Sequence, residues 1–330
     1  MNSIFTTKNI TLAIAILLII ITMIGWWWSF EPDVKDVQLN AKRTAETNQH
    51  EVVVGYTTTV ALIDVMDTLL HKPGGYISND ILPPGLVMDN IPSWEFGALE
   101  MSRDLALAMR KDFSRSQSQS VENQFLTKAQ PSLNFDSNRW LLPSTEGEYE
   151  DAIEQLIAYR DDLANKDTNS SQFFARADNL REYLKQVEKR LGSLSQKLAA
   201  SVGTESLNLD LAGDPANRSS TPQANVIKNK TSWFELDNNF YEARGACWAM
   251  LHFLKAIEVD FAVVLQKKNA EVSLQQIIRE LEATQDTVFS PMILNGDGFG
   301  LLANHSLVMA NYISRANAAL IELSELLNQG

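Results

Sequence analysis

The longest apolar run of the chain lies near its start. Residues 10–28, "ITLAIAILLIIITMIGWWW", are 19 uncharged residues that begin at Ile10 and end at Trp28. As a helix they span about 28 Å, close to the hydrocarbon thickness of a bilayer. A core helix would alternate with polar positions, and a signal peptide would have a shorter apolar region and a small-residue cleavage site. The three tryptophans are typical of the headgroup level. The pattern predicts a transmembrane anchor in the lipid bilayer, preceded by a short tail, residues 1–9.

The orientation of this anchor depends on few charges. Only Lys8 and the amino terminus precede the run, whereas Lys35, Lys42 and Arg43 follow it. The basic count alone points to a cytoplasmic main domain. Short basic tails usually stay inside, however, while the large domain is translocated. We therefore expect a bacterial inner-membrane protein with a periplasmic main domain, and a cytoplasm-facing domain is the alternative.

Helical periodicity and turn-forming residues divide the region that follows. A polar juxtamembrane segment, residues 29–50, leads into a helical region, residues 51–202, in which residues 57–70 are predicted to be the first helix. Residues 71–94, "HKPGGYISNDILPPGLVMDNIPSW", contain several proline and glycine turns that oppose helix and strand. Their apolar members predict an ordered loop that packs on the body. Such a loop is either functional or a cover over helix surface.

The most regular apolar pattern begins at residue 173. Its members alternate steps of four and three: Phe173, Ala177, Leu180, Leu184, Val187, Leu191, Leu194 and Leu198. That heptad pattern favours coiled-coil-like packing. An antiparallel hairpin over residues 146–201 would satisfy the seam, and a homo-oligomer formed through the 173–198 seam is the alternative.

The carboxyl-terminal third is predicted to be helical after a break. Residues 203–231 are rich in Gly, Pro, Asn and Ser, which is typical of a flexible linker or insertion. Residues 232–330 contain three helical segments that should pack on the first region. Because no convincing strand pattern is present, the fold class is mainly α: one transmembrane helix followed by a helical bundle with a long ordered loop and a heptad-patterned hairpin.

One predicted helix, residues 237–261, is apolar nearly all round and contains a histidine. Gly245, Ala249 and Ala256 form a stripe of small residues, which would let another helix approach closely. Arg244, Trp248 and His252 are spaced at i, i+4 and i+8, so the guanidinium could stack on the indole. The pattern favours a packing helix whose charges are paired or solvated, and a buried polar site is the alternative.

Other polar residues are possible contributors to a site. The final helix carries a strip of polar residues, which favours a solvated face, and a hydrogen-bonding strip that receives the loop or a partner is the alternative. Gly296, Gly298 and Gly300 precede that helix, but without a preceding strand or a following Lys-Ser/Thr their ordinary use is a tight turn. The candidate polar or binding-site residues are Asp80, Asp89, Glu95, Glu242, Arg244, His252, Asn304, Asn311 and Arg315.

Composition excludes several classes of function. A net charge of −13 argues against a nucleic-acid partner, and a single cysteine, Cys247, excludes an intramolecular disulfide and a Cys-rich zinc site. With four histidines and no HExxH motif, the sequence indicates neither a metal nor a cofactor.

Several long peptides resemble a known family. "LLHKPGGYISND", "PPG", "MDNIPSWEFG", "FYEARGACWAMLHFLKAIEVDF" and "SPMILNGDGFGLLANHSLVMANYISRAN" occur in this order and are similar to the proteobacterial domain-of-unknown-function family 2333. The resemblance covers the chain from about residue 50 onward. It implies a Gram-negative inner-membrane protein with one span and a helical domain, and it implies no activity.

The expected function is therefore non-enzymatic. We expect a scaffold or interaction protein of the cell envelope that binds an envelope protein partner. An envelope hydrolase acting on cell-wall material through Asp80, Asp89, Glu95 and Glu242 is the first alternative, and a cytoplasm-facing regulatory domain is the second.

Overall fold

The computed structural model describes residues 7–115, 121–165, 170–207, 226–290, 292–297 and 300–329. Within them the fold is mainly helical, as the sequence predicts. The helices are α1 Thr7–Trp28, α2 Val37–Asn48, α3 Tyr56–His71, α4 Asn90–Ala108, α5 Leu126–Leu133, α6 Thr145–Ala164, α7 Ala177–Ala199, α8 Leu236–Asp260, α9 Ala262–Lys267, α10 Glu271–Ala283 and α11 His305–Asn328.

α1 is a 22-residue helix with the length and apolar composition needed to cross a membrane, and none of its residues is buried. It is joined to α2 by residues 29–36, which we call the strap. α2 lies within the segment that the sequence predicts only as polar and juxtamembrane. Its buried residues are all small or β-branched (Val37, Ala41 and Ala45), so the hydrophobic signal at this position is weak.

α8 is the central helix of the domain. Of its 25 residues, 17 are buried, as expected for a helix that is apolar nearly all round. Its main neighbour is α4, and α3, α10, α7 and α2 also pack against it. Because α4 belongs to the first predicted helical region and α8 to the second, the two regions share one core.

The close approach of α4 and α8 depends on two glycines. A Cβ on Gly97 would lie 2.0 Å from the carbonyl oxygen of Glu242, and one on Gly245 would lie 2.0 Å from that of Trp94. No other residue type fits at this crossing without moving a main chain. The small-residue stripe predicted on α8 therefore has its partner in α4.

The heptad helix has a different partner from the one predicted. α7 packs mainly along α11, and α6 packs against α3 and α5. The Oγ atoms of Ser195 and Ser314 are 2.6 Å apart at this α7–α11 contact. A heptad seam specifies that a helix face must be covered but not by which helix, and here α11 covers it. Leu184 and Leu191 are fully buried within one chain, so the seam is not free for a second copy.

The segment predicted as a linker or insertion contains a strand pair. β1 (Thr204–Leu207) and β2 (Val226–Asn229) pair antiparallel, with Thr204 opposite Asn229. No strand is predicted there, because four-residue strands in a polar context leave almost no periodic signal. The middle of the predicted linker, residues 208–225, lies outside the described residues.

Candidate functional site

The strap lies along one face of α8. Arg244 donates from Nε to Oε2 of Glu31 at 2.5 Å. One turn further along α8, the Trp248 indole N–H donates to the carbonyl oxygen of Asp33 at 3.3 Å. One more turn along, Nε2 of His252 accepts from the backbone N–H of Lys35 at 3.0 Å. Three consecutive turns of the central helix therefore hold alternate residues of the strap.

The spacing of these contacts follows from backbone geometry. Four residues of an α-helix advance about 6.0 Å, and two residues of polyproline-like chain advance about 6.2 Å. Pro32 fixes its own φ and favours an extended conformation at Glu31 before it. The two periods therefore stay in register over the whole contact.

Arg244 also fixes the end of α10. Its Nη1 donates to the carbonyl oxygens of Thr284 at 3.0 Å and Asp286 at 2.8 Å, and its Nη2 donates to that of Gln285 at 3.0 Å. These carbonyls follow the carboxyl end of α10, where a positive charge is favourable. One buried guanidinium thus joins the strap, α8 and α10.

The aromatic contacts of this face differ from the predicted stacking of Arg244 on Trp248. The indole of Trp248 contacts the ring of His252, with centroids 4.4 Å apart, and that of Trp94 of α4, with centroids 4.9 Å apart. Arg244 is instead fully engaged with Glu31 and carbonyl oxygens. A charged acceptor and oriented carbonyls hold a guanidinium more strongly than an aromatic face does.

His252 is held neutral. Its Nδ1 lies 2.8 Å from the carbonyl oxygen of Trp248, so Nδ1 carries the proton and Nε2 accepts from Lys35. Burial, assisted by the charges of Lys35 and Lys255 and opposed by the hydrogen bond to the Trp248 carbonyl, lowers the pKa of His252 to about 4. The ring therefore works as a hydrogen-bond connector and not as a base at neutral pH.

A cavity of about 610 Å³ lies where the strap leaves α1, between Trp26, Phe30 and Tyr241. Two acceptors on its wall, Oε1 of Glu31 and Oδ1 of Asn90, are buried and have no partner among the described residues. Burial raises the pKa of Glu31, and Arg244 opposes this shift. The cavity would accept N–H or O–H donors at this point.

Glu95 holds the ordered loop between α3 and α4. Its buried carboxylate accepts from the backbone N–H groups of Ile77 and Ser78, each at 2.9 Å, and from the Ser78 hydroxyl at 2.5 Å. It also forms a buried ion pair with Lys72, which donates in addition to the Gly75 carbonyl. With these donors its lone pairs are engaged, so Glu95 stabilises the loop and is not free to act as an acid or base.

The other predicted acids lie in separate surroundings. Asp80 packs against Gly85 in the loop, and burial raises its pKa, assisted by the charges of Glu95 and Glu146. Asp89 is exposed and immediately precedes α4. Glu242 pairs with Lys197 of α7 at 2.7 Å. The structure does not give these carboxylates a shared partner.

The predicted polar strip of α11 is also divided. Asn304 caps the helix by accepting from the N–H of Leu307 at 2.8 Å, Asn311 is exposed, and Arg315 pairs with Glu280 at 2.6 Å. In the preceding turn the amides of Gly296 and Gly300 donate to the carbonyls of Ala303 and Asp297. Those amides are therefore not available to an anion, and Gly298 lies outside the described residues.

Of the nine predicted residues, only Arg244 and His252 share one face, and the other seven lie in separate surroundings. Arg244 and His252 belong to the face that binds the strap, and Glu95 lies below the neighbouring loop. Sequence reasoning missed the strap residues, because Asp33 and Lys35 contribute backbone atoms that leave no pattern in side chains. In the part of the chain that the structure describes, no group of three or more His, Cys, Asp or Glu side chains is placed to hold a metal.

Comparison with known proteins gives a family but no relative of established activity. The family model described as an uncharacterized protein conserved in bacteria, DUF2333, matches residues 2–330. This match extends through α1 and the strap, beyond the part of the chain that carries the resemblance in its peptides. No curated protein and no solved structure matches. The chain therefore belongs to the bacterial family DUF2333.

Proposed function

We propose that this protein is a single-pass scaffold of the bacterial inner membrane. In this proposal α1 is a permanent anchor, the amino terminus is cytoplasmic, and the helical domain is periplasmic and binds an envelope protein partner. The observation that carries it is the attachment of the strap to α8 at Glu31, Asp33 and Lys35. A segment bound in this way fixes the position of the domain relative to α1. A scaffold needs such a fixed position to present its binding surface, whereas an enzyme on a flexible tether does not.

Contacts at the carboxyl end of α1 support retention of this helix in the mature protein. The side chain of Trp28 packs on Gly74, where a Cβ would lie 2.7 Å from the indole. Gly25 faces Pro84, with 3.2 Å between its Cβ position and the Cβ of that proline. Cleavage of α1 would leave Gly74 and Pro84 without these partners.

The hydrolase alternative requires two carboxylates on opposite sides of a scissile bond, within about 10 Å of each other. Of its four proposed acids, Glu95 is engaged by the loop and Glu242 by Lys197. Only Asp80 and Asp89 remain, on either side of Pro83, Pro84 and Gly85. If the full-length protein hydrolysed purified peptidoglycan and lost that activity on Asp80→Asn, the scaffold proposal would be overturned.

Placement is tested by fusing alkaline phosphatase, which is active only outside the cytoplasm, to the carboxyl terminus. A matched fusion to green fluorescent protein, which fluoresces in the cytoplasm, is the control. We expect an active phosphatase and a dark fluorescent protein at equal expression. The opposite pair would establish the cytoplasm-facing alternative.

The partner is tested by photo-crosslinking in cells from exposed positions of the domain. Phe234 and Val263 carry exposed side chains that pack on little of the domain. Benzoylphenylalanine at such positions should give a discrete adduct in the membrane fraction, and Arg244→Met, which releases the strap, should weaken that adduct. An adduct of twice the mass of the chain would indicate self-association. The absence of any adduct from a series of such positions would remove the partner from the proposal.

A further inference from the structure

Large apolar side chains remain exposed on three loops of the domain, although its core is well covered. The most exposed members are Leu82 at 71%, Val87 at 72%, Leu142 at 89% and Phe289 at 97%. A group of exposed large apolar side chains marks contact with another phase or molecule where its members lie on one side of a domain. We call the set the apolar collar and define it by Leu82, Val87, Trp140, Leu142, Phe289 and Met292.

The first loop lies directly beside α1. Pro84, between Leu82 and Val87, packs on Gly25. Gly25 is one turn before Trp28, about 4.5 Å further along the helix toward its apolar middle. The tip of this loop therefore reaches past the tryptophans at the carboxyl end of α1.

The other two loops are connected to this region through a cavity and a hydrogen bond. Thr287, Val288 and Ser290 line the same cavity as Trp26 and Phe30. The loop that carries Trp140 and Leu142 is held to the first loop by Asn79, which donates to the Arg139 carbonyl at 3.1 Å. Two of the three loops thus lie beside the carboxyl end of α1, and the third is bonded to the first of them.

These loops are unusual in charge for this chain. No Asp, Glu, Lys or Arg occurs in residues 81–88, 140–145 and 287–296. At the overall charged fraction of 21%, these 24 residues would include about five charged ones. Charged groups are costly at the depth of lipid headgroups and acyl chains, whereas tryptophan and aliphatic side chains are favoured there. These stretches are flanked by Asp80 and Asp89, by Arg139 and Glu146, and by Asp286 and Asp297, so acidic residues outnumber basic ones around them. An attraction to anionic lipid is therefore not part of the contact.

We propose that the apolar collar is a second membrane contact, which inserts into the interfacial layer of the bilayer around α1. The proposal rests on the proposed role of α1 as the anchor. The occupant is lipid, of zwitterionic or anionic headgroup alike, because the collar continues the surface of a helix that is itself in lipid. Together with the strap, this contact keeps the domain at the membrane surface and prevents it from moving away from the bilayer.

The test uses the full-length protein in nanodiscs of phosphatidylcholine. Single cysteines at Leu82, Leu142 and Phe289 carry a nitroxide, and the label's accessibility is compared between oxygen, which partitions into lipid, and a water-soluble nickel chelate. Cys247 does not interfere, because it is buried and burial raises its pKa to about 12. Leu18→Cys in the middle of α1 reports separately on the anchor.

Val272→Cys is the matched control, an exposed apolar side chain at the other end of the domain. Val272 lies 12 residues before Thr284, the residue that Arg244 contacts, which is about 18 Å along α10. Gln275 beside it bonds Glu258, which is far from Arg244 along α8. Val272 itself is 76% exposed, similar to the collar residues.

We expect oxygen to be favoured over the nickel chelate several-fold more at the collar sites than at Val272, and equally so when anionic lipid is added. If Leu18 is in lipid and the collar labels match Val272, the collar proposal is wrong and the anchor stands. If Leu18 is also reached by the nickel chelate, the anchor itself fails. Collar labels that are water-exposed in nanodiscs but protected from chelate in cells would assign the surface to a protein partner and overturn the lipid contact.

Discussion

Gly97 of α4 and Gly245 of α8 face the main chain of each other's helix at a single crossing, each with only 2.0 Å between its Cβ position and a carbonyl oxygen. Each helix therefore approaches the other as closely as its backbone allows. The Trp94–Trp248 contact and the strap-binding face of α8 depend on this approach, because both tryptophans lie within one turn of a glycine.

A methyl group at either glycine should separate the two helices. We expect Gly97→Ala and Gly245→Ala each to lower the free energy of unfolding by roughly 3 kcal/mol, the upper range for overpacking. The measurement is denaturant unfolding of the detergent-solubilised protein. Gly192→Ala in α7 is the matched control, since its Cβ would lie no nearer than 3.8 Å to a neighbour, and it should stabilise by up to about 1 kcal/mol. Equal effects at Gly97 and Gly192 would contradict the close crossing.

Glu95→Gln should destabilise the domain by about 3–5 kcal/mol, because Lys72 would remain buried without its counter-charge. The same substitution at Glu242, whose partner Lys197 is largely exposed, should cost less than about 1 kcal/mol. Limited proteolysis should then cut Glu95→Gln within residues 71–89. The double variant Lys72→Met with Glu95→Gln should recover part of the loss, and strict additivity would show that the two groups do not interact.

Stability should fall on acidification through protonation of His252. The folded protein has a His252 pKa of about 4 and the unfolded chain has the ordinary 6.5, so the unfolded state binds the proton more tightly. The contribution is complete above pH 6.5, is lost progressively as the pH falls toward 4, and amounts to on the order of 3 kcal/mol. Unfolding curves at a series of pH values measure it, and His252→Gln should remove this part of the profile. His71→Gln, at an exposed site, should not.

Arg244→Lys should release the strap. An ammonium cannot reach Glu31 and three carbonyls together, so buried acceptors lose their donors, at a cost of about 2–3 kcal/mol. Hydrogen exchange should accelerate in residues 29–36 and at the end of α10. Arg315→Lys is the control, because Arg315 is half exposed and its partners are Glu280 and the ring of Tyr312, neither of which belongs to the strap. Unchanged exchange in the strap would refute the role assigned to Arg244.

Cys247 should not react with a thiol reagent until the protein unfolds. Burial raises its pKa to about 12, so little thiolate forms and reagent has no access. The reaction rate of native protein with an aromatic disulfide, compared with Val272→Cys, gives the measurement. A fast reaction at Cys247 in the native state would show that α8 is not in a closed core.

Much of the fold can be predicted from the order of apolar and polar residues, because that order indicates which side chains are buried. The all-round apolar character of α8 and its glycine predicted a central, closely packed helix, and the structure confirms both. The partner of α7 could not be predicted, since Leu184 and Leu191 require cover without specifying which helix supplies it. The hairpin strands were missed because they are short.

The candidate site was predictable only in part. Arg244 and His252 were identified by their spacing with Trp248, yet their partners were not, because the strap binds through two backbone atoms. The sequence predicts Glu95 only as a possible acid. A carboxylate that accepts hydrogen bonds from a loop and a catalytic carboxylate cannot be distinguished by sequence. Three-dimensional partners alone distinguish them.

The matched periods of the strap and α8 fix the number of residues between α1 and the helical domain. Adding or deleting one residue near Pro32 would place the wrong backbone group opposite Trp248 and His252, and no small rotation restores the match. A variant whose strap is longer or shorter by one residue would therefore have to give up the attachment altogether or shift it by a full helical turn.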